Sequence, residues 1–355
     1  MSEGLQTAVV GVTGYSGAEL ARLLVHHPRL AGKAPIFVGR IDAKDEARGG
    51  LPLGEIHPEL RDSRGTGSLR VQQFSWERLE DLGVEVAFLA TPHEMSREAV
   101  PEARKRGIRV IDLSGAWRLE EASHRAVYAF EDEGSASALA MQAEAVYGMP
   151  ELHRDAIRNA GLVANPGCYA TSVILALKPL IAAGLVDVEH GIISDSKSGV
   201  SGAGKSPTAK THFMYAADNL SAYGVFSHRH TGELVEQLGI DSEAITFTPH
   251  LLPIPRGILS TIYVRFLKAQ TAADVEACYA KFYAHSPMVR LYGTALPQIQ
   301  YSVKTNYADI GFNIAKDGKR AVIVSCLDNL LKGAAGQAVQ NLNVMQGWGE
   351  AEGLE

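Results

Sequence analysis

No apolar run in the chain approaches the ~20 residues that a membrane-spanning helix needs. Cysteine is scarce: Cys168, Cys278 and Cys326 are the three among 355 residues. They are widely spaced and odd in number, which suits a reducing compartment better than a disulfide framework. There is no long block of like charge, and the net charge is −6. Nothing therefore favours nucleic acid or an anionic membrane surface as a partner. The first residues, Met1 to Gln6, lack a basic n-region and an apolar h-region. No signal peptide is expected, and the cytoplasm is the default location. Repeats, low-complexity segments and a linker marked by composition are missing as well. What remains is an ordinary globular composition, 46% hydrophobic and 21% charged. The chain is long enough for two domains and a substantial core.

The apolar segment Thr7 to Gly11 reads as a strand and runs straight into Gly11-Val12-Thr13-Gly14-Tyr15-Ser16-Gly17. Ala18 to His27 then has helical spacing, with Leu20, Leu23 and Leu24 on one face. Strand, glycine turn and helix form the context of a dinucleotide fingerprint. The glycines recur at every third position, not in the G-x-G-x-x-G spacing, but they meet the same need. The turn must be tight, the backbone must approach a pyrophosphate, and a helix N-terminus must face the anion. A second strand, Pro35 to Val38, ends in Gly39-Arg40. The NAD-preferring version of this fold places a carboxylate there for the ribose hydroxyl. A glycine and a cation suit a 2′-phosphate, so NADP is expected, with a solvated surface arginine as the alternative.

Val84 to Ala90 is a third strand, leading into Thr91-Pro92-His93-Glu94. An exposed, charged helix is expected over Arg97 to Arg106. A fourth strand, Arg109 to Leu113, leads into Ser114-Gly115-Ala116-Trp117-Arg118. Strands alternating with helices indicate a doubly wound parallel sheet, whose ligands lie beyond the strand carboxyl ends. Thr13, Arg40, Pro92, Ser114 and Cys168 all fall at such ends. Beyond residue 185 the pattern changes. Strands are expected at His190 to Asp195, Ile245 to Thr248, Ile258 to Leu267, Tyr307 to Ile314 and Ala321 to Cys326. The main helix among them is Ala272 to Tyr283. This points to an α+β second domain with a mixed sheet. Leu331, Ala335, Ala338, Leu342 and Met345 recur at helical spacing, giving a closing helix that can pack back on the first domain. The expected division is 1–164 with 331–355, and 165–330.

Leu162 to Thr171 carries the chemistry. It reads as a short strand, the turn Asn165-Pro166-Gly167, and Cys168 at the mouth of an Ala/Leu-rich helix with Gly184 as a stop. Free N–H groups and the positive end of the helix dipole converge there and favour thiolate over thiol. The competing view is a small buried hydrophobe. Gly199 to Ser206 matches the P-loop pattern G-x-x-x-x-G-K-[ST] letter for letter. Pro207 follows at once, and no apolar-periodic helix comes after it. A Gly/Ser-rich active-site loop is the better reading. His228-Arg229-His230 offers a general base and an anion clamp, and Glu233 could orient an imidazole if that segment is helical. His-x-His without a neighbouring ligand in zinc spacing argues against a metal.

With these residues in place, the chain resembles the N-acetyl-gamma-glutamyl-phosphate reductase family nearly end to end. The resemblance rests on Gly11 to Leu20, Asn165 to Thr171, Ser198 to Gly204, His228-Arg229-His230, Asn306 to Gly311 and Asp328 to Ala338. It implies a glyceraldehyde-3-phosphate dehydrogenase-like fold, with an N-terminal Rossmann-type domain and an α+β catalytic domain. It implies NADPH-dependent reduction of an acyl phosphate in arginine biosynthesis, without a metal, by a homo-oligomer. Cys168 would be the nucleophile, with His228 or His230 handling protons. Gly11, Thr13, Gly14, Tyr15, Ser16, Gly17, Arg40, Pro92, Ser198, Gly199 and Asn329 would face the cofactor, with Asn329 near the nicotinamide. Two positions depart from the family pattern. Ser114 to Arg118 usually reads Ser-Ala-Asp-Phe-Arg, so a carboxylate is lost here, and Lys205 is often arginine. A relative acting on carrier-linked aminoadipyl phosphate in lysine synthesis looks similar over most of the length. The Asn165-Pro166 lead-in is closer to the arginine enzyme. A P-loop NTPase and a non-catalytic NADP sensor remain alternatives from other classes.

Overall fold

The computed structural model describes residues 4–62 and 65–355. It divides into two compact units. The first comprises residues up to Arg118, Phe130–Asn165 and Ala335–Glu355; the second comprises Leu119–Ala129 and Pro166–Ala334.

The first unit holds eight strands: β1 Thr7–Val10, β2 Ile36–Gly39, β3 Leu51–Pro52, β4 Arg70–Gln73, β5 Val86–Leu89, β6 Arg109–Asp112, β7 Ala145–Tyr147 and β8 Leu162–Ala164. Their order is β3-β4-β2-β1-β5-β6-β8-β7. Every pairing is parallel except β3 with β4. β1, β5 and β8 are buried along their whole length. That burial is why they read as continuous apolar runs without alternation. The strand order reverses between β1 and β5, so the crevice for a ligand opens beyond their carboxyl ends. β3, β4 and β7 escape the sequence reading. Two are very short, and Arg-Val-Gln-Gln in β4 is too polar to announce itself.

The helix α1, Tyr15–Val25, follows the glycine turn. The helix α2 spans His93–Lys105, a turn earlier than the charge pattern suggests, because Pro92 stands at its N-cap. It is not exposed as expected: Ser96, Arg97, Ala99, Val100 and Ala103 are buried. The Arg97 guanidinium lies between the Trp117 and Phe130 rings, 4.4 and 4.6 Å from their centroids. Its Nε donates to Asp132 at 2.8 Å. Stacking and charge pairing together make its burial tolerable. The helices α3, Pro150–Asn159, and α7, Gly336–Gln346, pack against each other inside this unit. The closing helix therefore does return to the first unit.

The second unit carries a mixed sheet of seven strands: β9 Ile192–Gly199, β10 Ser221–Ala222, β11 Ile245–Leu252, β12 Ile258–Arg265, β13 Val289–Gly293, β14 Ala308–Ile314 and β15 Arg320–Leu327. Their order is β10-β11-β9-β12-β15-β14-β13. One face of this sheet supports the helix α4, Cys168–Ala182. Beneath it the sheet carries a cluster of buried serines among large apolar side chains such as Ile258, Ile262, Ile323 and Leu327. Ser172 donates to Ser260 at 2.9 Å and to Ser325 at 3.1 Å, and Ser196 donates to Ser260 at 2.7 Å. These side chains are fully buried, so each hydroxyl needs the others. Pro179 lies inside α4 and has no N–H for the Leu175 carbonyl. The Tyr283 hydroxyl fills that vacancy, and Tyr279 donates to the Ala176 carbonyl at 2.6 Å. Gly184, at φ +65°, closes the helix with a left-handed turn. The helices α5, His230–Leu238, and α6, Ala272–Phe282, flank α4.

The C-terminal segment is clamped to the first unit. His27 is buried, and its Nε2 lies 3.0 Å from both Asn343 Oδ1 and the Glu352 carbonyl. The His27 Nδ1 accepts the Arg29 N–H. This arrangement suits the neutral ring, and burial lowers the His27 pKa below 6.5. The folded state thus takes up a proton less readily than the unfolded chain. Stability from this ring is complete above pH 6.5 and falls as the pH drops toward the lowered folded value. Chemical denaturation against pH should show that loss, and His27→Gln should flatten it; an unchanged slope in the variant would sink the assignment.

Candidate functional site

The glycine turn of the first unit is shaped by what it lacks. Gly11 has φ +87°, and an added Cβ would lie 2.4 Å from the Ala90 carbonyl oxygen. A Cβ on Gly17 would lie 2.5 Å from the Gly11 carbonyl oxygen and 2.6 Å from the Val12 Cα. Both contacts are with backbone, so no larger residue fits without moving a strand. Gly14 is the N-cap of α1, no side chain caps that helix, and its first turn carries no acid. Thr13 and Tyr15 are exposed and Ser16 is half-buried. Exposed backbone donors at a helix start suit a pyrophosphate. Arg40 follows β2 directly and is exposed. Asp42, two residues on, is engaged elsewhere: its Oδ1 accepts the Asp45 N–H at 2.8 Å. The cation, not a carboxylate, is what β2 offers at its end. These residues fit a phosphorylated dinucleotide.

At the end of β6, Asp112 is fully buried and accepts from the Ser96 hydroxyl, the Ser114 N–H and the Ser114 hydroxyl. Burial pushes its carboxyl above the usual range against those bonds. Arg118 donates to the Asn165 carbonyl at 2.7 Å and to the Leu113 carbonyl at 2.8 Å. The segment Ser114 to Arg118 is therefore held by neighbours on both sides, although Ala116 brings no carboxylate.

In the second unit Cys168 is the first residue of α4 and is half-buried. Its N-cap is Gly167, with no side-chain cap bond. Gly167 is crowded on its open side: an added Cβ would lie 2.4 Å from His230 Nε2. The Gly167 N–H donates to Glu233 Oε2 at 2.9 Å, and Glu233 Oε1 is 3.9 Å from His230 Nε2. Glu233 is fully buried, and α5 starts at His230. The segment is helical, so His230 and Glu233 stand one turn apart on one face, as the spacing requires. On its other side Cys168 meets Gly333, whose added Cβ would lie 2.7 Å from the Cys168 Cβ.

The two histidines differ in their surroundings. The His228 and His230 rings meet edge to face at 4.7 Å. His228 also packs against Tyr169, Tyr223 and Phe247 at 5.7, 5.5 and 5.4 Å. Its Nδ1 accepts the His230 N–H at 3.1 Å. Burial, helped by the Arg229 charge, lowers the His228 pKa to about 4. This ring is neutral at physiological pH, with its proton on Nε2. Tyr169 donates to the His250 carbonyl at 2.8 Å, and burial raises its pKa above the ordinary value. The sequence reading missed Tyr169, Tyr223 and Gly333. Tyr169 and Gly333 sit inside blocks singled out for other residues, and nothing local marks Tyr223.

The loop that mimics a P-loop begins inside a strand. β9 runs through Ser198 to Gly199, past the expected end at Asp195, and a short 3₁₀ turn covers Val200–Ala203. Among the described residues the next helix is the four-residue Phe213–Ala216. The helix a P-loop needs is therefore missing directly after Ser206. Asn329 ties this loop down: its Nδ2 donates to Ser201 Oγ at 2.9 Å, and its Oδ1 accepts the Gly257 N–H at 2.8 Å. Ser198, Gly199 and Asn329 thus belong to the second unit with Cys168, His228 and His230. Gly11 to Gly17, Arg40 and Pro92 belong to the first. Among the described residues no group of three His, Cys, Asp or Glu side chains could hold a metal ion.

Residues 6–160 match a family model described as semialdehyde dehydrogenase, NAD binding domain, and residues 168–329 match its dimerisation domain. The chain is 43% identical to an N-acetyl-gamma-glutamyl-phosphate reductase of Desulfotalea psychrophila, covering 99% of this chain and 98% of the relative. It is 41% identical to that of Methanococcus maripaludis, covering 98% and 97%. Among solved structures, aspartate semialdehyde dehydrogenase II of Vibrio cholerae, complexed with ASA, superposes with a TM-score of 0.70 at 18% identity. The match covers 97% of this chain and 99% of that one. The Candida albicans enzyme with NADP gives 0.67 at 15% identity, with the same coverage. At such identities the likeness concerns the fold, which agrees with the two-domain α/β plan.

The contrast between the histidines is measurable. The His228 ring should titrate near pH 4, followed by NMR of the ring protons and assigned with His228→Gln. A midpoint near the ordinary histidine value of 6.5 would contradict the enclosed geometry.

Proposed function

We propose that this chain, which belongs to the N-acetyl-gamma-glutamyl-phosphate reductase family, reduces N-acetyl-gamma-glutamyl phosphate to the semialdehyde and inorganic phosphate. The observation that carries the reading is Cys168 at an uncapped helix start, with His230 against its preceding glycine and Glu233 beneath both.

The Cys168 thiolate attacks the acyl carbon, a carbon–sulfur bond forms, the carbon–oxygen bond to phosphate breaks, and phosphate leaves with that electron pair. N–H groups of the first turn of α4 stabilise the oxyanion. NADPH, when bound, supplies the hydride that brings the acyl carbon to the aldehyde level. Collapse of the resulting thiohemiacetal returns the bonding pair to Cys168 and releases the aldehyde. His230 is the proton partner in this scheme, because its Nε2 lies beside Gly167 and within reach of the Glu233 carboxylate. His228, kept neutral by burial, would anchor the backbone of its neighbour by accepting the His230 N–H. Gly11, Thr13, Gly14, Tyr15, Ser16 and Gly17 would hold the pyrophosphate, and Arg40 the 2′-phosphate. Pro92, Ser198, Gly199 and Asn329 would serve the nicotinamide end. Residues 1–164 with 331–355 would then be the NADP-binding domain, and 165–330 the catalytic and dimerisation domain.

We place the enzyme in the cytoplasm as a homo-oligomer. Ile193 and Tyr263 are 51% and 45% exposed on one face of the second sheet, which supports self-association there. Tyr263→Asp should shift the sedimentation equilibrium toward monomer; an unaltered mass would remove this face as the interface.

Turnover decides the chemistry. Wild type should oxidise NADPH with acetylglutamyl phosphate, and Cys168→Ser should lose about 10⁴-fold or more. His230→Asn should lower kcat more than His228→Asn. Lys205→Ala should retain nucleotide binding, whereas Arg40→Ala should weaken NADP relative to NAD. Full activity in Cys168→Ser would end the covalent scheme. Preferential turnover of carrier-linked aminoadipyl phosphate would replace the substrate.

A further inference from the structure

Cys168 has a second wall, and its architecture is unusual. Leu331–Ala335 forms a π-helical turn, separated from β15 by Asp328, Asn329 and Leu330. Single π turns are rare and concentrate at functional sites, because their wider i→i+5 winding is less favourable than an α-turn. Gly333 sits within this turn against Cys168, at a separation that leaves no room for a Cβ. A winding change that brought Lys332 or Ala334 to the same place would drive a side chain into the nucleophile.

What fixes the winding is Asp328, fully buried at the end of β15. Its Oδ1 accepts the Leu330 and Leu331 N–H groups at 2.8 and 3.1 Å. The same oxygen takes the Arg256 guanidinium at 2.9 and 3.3 Å. Oδ2 accepts the Lys304 N–H at 2.7 Å, from a residue held at φ +65°. The Asp328 carbonyl accepts the Gly333 N–H at 2.9 Å. Side chain and backbone of one residue thus hold both the entry to the turn and the glycine at its centre. Charge-assisted bonds of this kind are strong enough to hold a less favoured winding.

We infer that Asp328 is a positioning residue for the nucleophile: it holds the π turn so that Gly333, and no side chain, stands against Cys168. The inference rests on the reading of Cys168 as the reactive group. Asp309 supplies the control. It is equally buried, pairs with Arg290 at 2.6 Å and accepts from Ser302, but lies on β14 with no bond to the π turn.

The test is the rate at which iodoacetamide alkylates Cys168, read by mass spectrometry at that residue, beside steady-state kinetics. Asp328→Asn should slow alkylation and lower kcat by about tenfold or more while KM stays within about twofold, as misplacement of a reacting atom predicts. Gly333→Ala leaves the Asp328 carboxylate itself unaltered and should give the same loss, so the test survives an Asp328 variant that does not fold. Asp309→Asn should melt earlier yet alkylate at the wild-type rate. The inference is overturned if Gly333→Ala or Asp328→Asn alkylates like wild type, or if Asp309→Asn slows as much. A wild type that alkylates at Cys168 but turns over no acyl phosphate would overturn the proposed function and leave the positioning role standing.

Discussion

The second unit depends on one peptide that has no room for a side chain. Gly167 lets the His230 imidazole come down onto the backbone just ahead of Cys168. It also sends its N–H to a carboxylate with no access to water. Any other residue there would push the ring off the start of α4. The contact couples α4 to α5, because His230 and Glu233 are the first turn of α5. A helix end, an imidazole and a buried carboxyl group are brought within one turn of each other by the absence of a single methyl group. An unpaired buried carboxylate would be costly, and the Gly167 N–H and nearby imidazole are what make Glu233 tolerable.

The helix α4 is held from below and behind as well. Its C-terminal half contains a proline, which ordinarily leaves a carbonyl exposed and bends the helix. Tyr283 caps that carbonyl, and Tyr279 takes the next one. Its N-terminal half sits on hydroxyls. A greasy interface would tolerate sliding, whereas paired serines fix one seating depth. The serine contacts add directional bonds to a helix whose other buried side chains, Val173, Ile174, Leu175, Leu177 and Leu180 among them, are apolar.

Much of this was legible in the sequence because each feature has a local physical signature. Glycines after a buried strand mark a turn that must approach something closely. Gly39-Arg40 without an acid leaves an exposed cation at the end of β2. Pro207 after Lys205 disqualifies a P-loop on its own. The errors share a cause. The helix at His93–Lys105 looked exposed because it is charged, yet Arg97 is buried between two rings that lie 20 and 33 residues away. Pairings such as Asp328 with Lys304, or Gly333 with Cys168, join residues far apart in the chain, and no window of sequence contains both partners. The surroundings of His228 and His230 were hidden for the same reason: Phe247 packs on one ring and Gly167 lies against the other, and only the fold brings them there.

The path of the chain through the two units has a consequence for its synthesis. The first unit begins at the N-terminus but is completed only by Ala335–Glu355, whose helix is buried from Gly336 to Met345. A ribosome adding residues at about 5–20 per second releases the whole second unit before the first can close. Until then the surface that this buried helix covers stays bare. The segment that completes the first unit is made only after every residue of the second.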